Sequence, residues 1–167
     1  MGNCVTPRKG LTLPDLLAAL LPRKAEGAKI ALANGIFDIL HVGHLRYLEA
    51  AKVEADVLVV GINGDGSAAR LKGPGRPIVP AAERAEIVAG FSCVDYVTVF
   101  EEDTADRLIL ALKPDVHCKG TDYTPATVPE RAAVASYGGR VAIVGDAKAH
   151  ATRDIIETIR GGSAGGS

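Results

Sequence analysis

Two histidines three positions apart close the stretch Asn34-Gly-Ile-Phe-Asp-Ile-Leu-His41-Val-Gly-His44. An apolar run, Lys29-Ile-Ala-Leu-Ala33, precedes it, and Leu45-Arg-Tyr-Leu-Glu-Ala-Ala-Lys52, with helical spacing, follows. A strand therefore ends in a loop, and the loop feeds a helix that opens on two imidazoles. A helix start gathers unpaired backbone N–H groups and the positive end of the peptide dipoles. Imidazole donors placed there add to a site already suited to phosphate. Gly43 between them lets a ligand come close to the backbone. A His–x–x–His pair can also ligate zinc, but zinc needs further ligands in compatible geometry. Cys93, His117, Cys118 and His150 are scattered without ligand spacing, so phosphate is favoured and no resident metal is expected.

Other charged residues have a functional and a plain reading side by side. Lys72 lies in Lys72-Gly-Pro-Gly-Arg-Pro77, a flexible loop from which a long cation can close over a triphosphate. Arg76 shares that loop. Arg84 sits between Glu83 and Glu86 on a helix, where the plain reading is a surface ion pair of little worth. Asp38, three residues before His41, could orient a histidine, orient a substrate hydroxyl or cap the loop. Asn63 and Asp65 follow a strand, and Asp65 could be an ordinary turn residue. Gly61, Gly64 and Gly66 suggest a dinucleotide loop, but their spacing is not G-x-G-x-x-G, which excludes a dehydrogenase.

The elements that must position these residues alternate. Helices are expected over 13–21, 43–52, 80–89, 104–112, 129–137 and 152–160, with a weak one over 67–71. Strands are expected over 30–33, 56–62, 96–100, 115–118 and 140–144, and Asn63-Gly-Asp-Gly-Ser67 is expected as a loop. The 56–62 run is apolar without alternation, as in a strand buried on both faces. Such alternation of strand and helix gives a three-layer α/β/α domain around a five-stranded, mostly parallel sheet, Rossmann-like in plan. Ligands in such sheets bind beyond the carboxyl ends of the strands. The polar segments 35–44, 63–67, 119–123 and 146–153 all lie at such ends.

Composition sets the outer bounds. A chain of 167 residues with 47% hydrophobic and 23% charged residues fits one globular domain. A formal net charge of −1 and only 4% aromatics argue against a nucleic-acid partner. No apolar stretch would span a membrane and no signal peptide is visible. Three cysteines without paired spacing fit a reduced, cytoplasmic setting. The start Met1-Gly-Asn-Cys-Val-Thr6 satisfies a loose myristoylation pattern, short enough to arise by chance. Residues 1–28 are taken as an N-terminal extension with a short helix, 29–160 as the domain, and 161–167 as a flexible Gly/Ser tail.

The ordered set of segments resembles the HxGH, or cytidylyltransferase-like, nucleotidyltransferase superfamily. The longer match is to bacterial D-glycero-β-D-manno-heptose 1-phosphate adenylyltransferases. It runs through residues 34–44, then Arg70-Leu-Lys-Gly-Pro-Gly-Arg-Pro77, Phe100-Glu-Glu-Asp-Thr104, Lys113-Pro-Asp115 and Lys119-Gly-Thr-Asp-Tyr123. The resemblance implies attack of a sugar-phosphate oxygen on the α-phosphorus of a nucleoside triphosphate, ATP before others, with Mg²⁺ accompanying the nucleotide and pyrophosphate leaving. His41, His44 and Lys72 would be the catalytic donors and cation. Asn34, Gly35, Ile36, Phe37, Gly43, Lys119, Gly120, Asp122, Thr152 and Arg153 would bind the nucleotide. Asp38, Asn63, Asp65, Arg76 and Arg84 would face the sugar phosphate, with Arg84 reaching its phosphate, and a homodimer is expected.

One departure stands out. The superfamily commonly opens its last helix with a Ser-Thr pair, whereas here His150-Ala-Thr-Arg153 lacks the first hydroxyl. Three alternatives follow: a cytidylyltransferase for glycerol 3-phosphate or a similar alcohol phosphate, a fragment of a class I aminoacyl-tRNA synthetase, and a non-catalytic nucleotide-binding module. The synthetase would need a second lysine-rich signature, which is missing. The alcohol-phosphate branch does not usually carry the 71–77 stretch in this form. A stand-alone enzyme is expected, since the chain is too short to include the sugar kinase domain of some relatives.

Overall fold

The computed structural model describes residues 9–146 and 155–159. Five strands form one sheet: β1 (Ile30–Gly35), β2 (Val57–Asn63), β3 (Tyr96–Phe100), β4 (Val116–Lys119) and β5 (Arg140–Ile143). Their order is β3-β2-β1-β4-β5, and every pairing is parallel, which sharpens the expected "mostly parallel". The chain runs outward from β1 through β2 to β3, then returns to the other side of β1. The order therefore reverses between β1 and β4, the place where open parallel sheets bind ligands.

Helices cover both faces because the strands carry apolar side chains on both. Along β1, Ala31 and Ala33 pack with Leu48 and Ala51 of α2 (Val42–Val53) and Val88 of α4 (Ala81–Ala89). Ile30 and Leu32 turn the other way, onto Leu16 and Leu20 of α1 (Leu13–Ala25), Leu112 of α5 (Asp106–Leu112) and Val134 of α6 (Arg131–Ala135). β2 is buried at every position. The remaining helix, α3 (Asp65–Lys72), follows β2 directly.

Several boundaries differ from the sequence expectation, for local reasons. α1 continues through Pro22 to Ala25, and Lys24 ties its last turn to the carbonyls of Leu112 and Lys113. α3 starts at Asp65 rather than 67, because Gly64 caps it and the Asp65 carboxylate accepts from Ala81 N at 2.8 Å. α5 starts two residues late, after Ala105, whose N–H is drawn to the Glu130 carboxylate. α6 shortens to five residues. Of the last expected helix, 155–159 is helical and the rest lies outside the described residues.

α1 is part of the layer rather than an appendage, since Leu16 and Leu20 are buried in the same core as Ile30. Ahead of it, Gly10 pairs in parallel with Val97, and Leu11 N and Lys9 O bond to Val97 at 2.8 Å each. That short segment covers the open edge of β3, where unpaired strand groups would otherwise face solvent. Among the described residues no helix is long and apolar enough to cross a membrane.

Candidate active site

β1 delivers Asn34 and Gly35 to the carboxyl edge of the sheet, and the chain then turns sharply at Phe37. Phe37 has φ 52, a left-handed conformation rare for a bulky residue and a mark of a constrained site. Its ring folds back over Gly35, where a Cβ would come within 3.1 Å of it. A side chain at Gly35 would therefore have to shift the Phe37 ring by a few tenths of an ångström. Phe37 also meets His44 at 5.4 Å and Tyr47 at 6.5 Å between ring centroids.

His41 is the N-cap of α2, and the two histidines cap the helix reciprocally. Gly43 N donates to His41 Nδ1 at 3.2 Å, and His41 N donates to His44 Nδ1 at 3.3 Å. A backbone N–H can only donate, so Nδ1 is the acceptor in both rings. Each neutral imidazole then carries its hydrogen on Nε2. The rings lie 4.0 Å apart. Burial, and behind it the neighbouring His41, push the His44 pKa down to about 4. His44 is thus a neutral donor at pH 7, on a helix end that itself favours anions.

The loop after α3 is fixed from below. Asp38 is buried and accepts from Arg76 Nε at 2.6 Å, Ile78 N at 2.9 Å and Val79 N at 2.9 Å. Burial raises its pKa, but the Val79 and Ile78 N–H groups and the Arg76 guanidinium outweigh that and hold it below the usual carboxylate value. Of the three readings of Asp38, the geometry matches loop capping, and Arg76 is engaged with it. Lys72, at the end of α3, is exposed and has no ion-pair partner among the described residues. Gly73 and Gly75 follow at φ 91 and φ 76, so the turn that leaves α3 after Lys72 needs glycine.

Of the two readings of Arg84, a surface ion pair and a reach to the substrate phosphate, the structure does not hold the first. Arg84 is 0% exposed. Its guanidinium donates to Val79 O at 2.8 Å, Asn63 O at 2.9 Å, Asp65 Oδ1 at 2.8 Å and the Ile36 carbonyl. It ties the loop beyond β1 to the end of β2 and to the start of α4. Flanking Glu83 and Glu86 prompted the surface reading, yet among the described residues neither pairs with Arg84. Asp65 is that guanidinium's partner, and Asn63 Nδ2 bonds Ser67 Oγ at 3.0 Å. Both residues buttress the loop ends.

Across the reversal point, β4 contributes a buried polar group. Lys119 Nζ and His117 Nε2 lie 3.1 Å and 2.9 Å from Asn34 Oδ1, and Lys119 also reaches Glu130 Oε1 at 3.3 Å. Lys119 lies 5.1 Å from the Tyr123 ring centroid. A Cβ on Gly120 would approach Asp122 Oδ1 to 3.0 Å. Tyr47 of α2 donates to Cys118 O at 2.7 Å, joining the histidine helix to β4. Sequence reasoning missed His117 and Glu130 as part of this group. The only signal was the i, i+2 spacing of His117 and Lys119, which puts both on one face of a strand. Burial raises the Cys118 thiol to about 12, consistent with a small core residue. Thr152 and Arg153 lie outside the described residues.

Asn34 stands at the carboxyl end of β1, His41, Gly43 and His44 open α2 shortly after it, and Lys72 ends α3 after the neighbouring β2. A family described as cytidylyltransferase-like matches residues 32–156, from β1 to the final helix. The chain belongs to the cytidylyltransferase-like family. It is a nucleotidyltransferase by that membership. Over 150 residues, 89% of this chain, it is 50% identical to the bifunctional protein HldE of Geotalea uraniireducens. Identity to the bifunctional protein HldE of Geobacter metallireducens is also 50%, over 147 residues. The chain spans 31% and 30% of the length of those two proteins. The solved lipopolysaccharide core biosynthesis protein from Thermoplasma volcanium is 30% identical, with a TM-score of 0.60 over 71% of this chain and 95% of that one. Pantothenate synthetase from Thermus thermophilus, 22% identical with a TM-score of 0.54 over 83% of this chain and 61% of that one, shares the fold.

Proposed function

We propose that this chain transfers an adenylyl group from ATP to D-glycero-β-D-manno-heptose 1-phosphate. An oxygen of the sugar phosphate forms a bond to the α-phosphorus. The bond from that phosphorus to the β-bridging oxygen breaks, and pyrophosphate leaves with the electron pair. The observation that carries the reaction class is the reciprocal histidine cap, which puts the hydrogen of each ring on Nε2 at the anion-favouring start of α2. Both reactants are anionic, so fixed donors and cations are the expected means of catalysis. Lys72, exposed at the end of α3 just before the Gly73–Gly75 turn, supplies the cation.

Support for the heptose acceptor comes from the 34–44, 70–77, 113–115 and 119–123 segments and from the similarity to HldE proteins. Mg²⁺ belongs to the proposal as a companion of the triphosphate. Among the described residues no three His, Cys, Asp or Glu side chains gather to hold a metal. Such an ion, which keeps several waters and binds substrate phosphates, needs at most one carboxylate here, and Asp122 is the candidate. When bound it would neutralise phosphate charge. A cytoplasmic homodimer is part of the same proposal, and sedimentation tests the stoichiometry.

The test is pyrophosphate release from ATP or CTP, with and without heptose 1-phosphate or glycerol 3-phosphate. Release with ATP and heptose 1-phosphate is the expected result. Preference for CTP and glycerol 3-phosphate would move the chain to the alcohol-phosphate branch. ATP binding without release on either acceptor would mark a non-catalytic module.

A further inference from the structure

The polar group at the β1–β4 junction has an internal logic that fixes hydrogen positions. An ammonium only donates, so the Asn34 atom facing Lys119 is the carbonyl oxygen Oδ1 and not the NH₂. His117 Nε2, bonded to the same oxygen, must then carry the hydrogen. Its Nδ1 is left as a buried acceptor without a partner, and Glu130 Oε2 is another. His117 is 0%, Lys119 7% and Glu130 2% exposed. With Oδ1 taken by two donors, the Asn34 NH₂ lies on the opposite side of the carboxamide, and no described residue accepts from it. Glu130 faces Lys119 at 3.3 Å and holds that ammonium against Asn34.

A buried group of this kind is costly to keep. Apolar side chains of similar volume would pack the same space at no loss of stability, and often with a gain. Unpartnered buried acceptors add to the cost. His117 and Glu130 are separated by 13 positions in the chain, yet both act on one carboxamide, directly or through Lys119. Asn34 in turn stands at the carboxyl end of β1, at the reversal point of the sheet, one residue before the loop that leads to His41.

We propose that His117 and Glu130 are positioning residues of the nucleotide site. Together with Lys119 they lock the Asn34 carboxamide so that its NH₂ is a fixed donor to the bound nucleoside triphosphate. The inference rests on the nucleotide reading given above. Neither residue touches the ligand; each acts through Asn34.

The test is ATP affinity by calorimetry on the full chain, with turnover measured at saturating ATP. Glu130→Gln and His117→Leu are each expected to weaken ATP binding about 10-fold, while kcat changes less than about 3-fold, because a preset donor is lost and the reacting groups are not. His117→Gln, whose amide also donates, should bind ATP like the wild type. In ¹⁵N spectra of the wild type, the Asn34 side-chain NH₂ signals should move on adding ATP. Wild-type affinity in both Glu130→Gln and His117→Leu, even with lowered melting temperatures, would overturn the proposal. So would Asn34 signals that ATP leaves in place, a measurement that needs no variant to fold. A wild type that bound none of ATP, CTP, GTP or UTP would sink the nucleotide reading itself.

Discussion

His41 has two jobs that different substitutions can separate. As the N-cap it accepts from Gly43 N, and as a donor it presents Nε2. His41→Ala removes both, and should cost about 1 kcal/mol of stability through the lost cap and about 10²–10³ in rate through the lost donor. His41→Asn keeps a capping oxygen and shortens the side chain, so it should keep the stability and still lose the rate. Thermal melts beside pyrophosphate release check this. Equal melting temperatures for both variants would mean that the cap does not stabilise α2. The motif made His41 legible from sequence as a donor, because residue type and helix position suffice for that. Its capping bond was less visible, since histidine is not among the usual cap residues. Glu130 was invisible for a different reason. Its partner Lys119 lies 11 positions away in the chain, and only the path of the connection from β4 to α6 brings the two together.

Arg84 acts at the scale of elements. It joins the loop past β1, the end of β2 and the entry to α4 through four donated bonds. Arg84→Met would leave the Ile36, Asn63 and Val79 carbonyls without that donor in a dry interior. Each unsatisfied carbonyl is costly, and with partial relaxation the loss should be about 3 kcal/mol in urea denaturation. The loss of rate should follow, since the phosphate-facing loop begins at Gly35. Arg84→Lys should recover little, because an ammonium lacks the planar fork that reaches several carbonyls at once. A loss well under 1 kcal/mol in Arg84→Met would show that water or a shifted backbone takes over these bonds. The strands and most helices were legible because apolar periodicity reports burial directly. The early start of α3 was not, because Asp65 owes its place in a helix to Arg84 and Ala81, both more than a dozen positions on.

The whole molecule should respond to acid in two stages, and the sign of the first follows from its buried histidines. Burial lowers His44 from 6.5 to about 4, and burial with the charge of Lys119 does the same to His117. Between those values the unfolded chain binds protons that the folded chain refuses, so stability rises with pH across the window and falls as the solution is acidified through it. The second stage comes from Asp38, Asp115 and Glu130, whose folded pKa values lie below their ordinary ones. Their contribution is complete above the unfolded carboxylate pKa and is lost as pH falls through the folded values. The two stages meet near pH 4. Urea midpoints measured from pH 7.5 down to 4.5 should therefore fall before the carboxylates begin to protonate. His117→Gln should make that first slope shallower, since glutamine does not titrate, leaving the share of His44. A midpoint constant from pH 7 to 5 in the wild type would mean that both imidazoles accept protons in the folded state. The neutral Nε2–H donor at His44, on which the phosphate site depends, would then have to be replaced by an imidazolium.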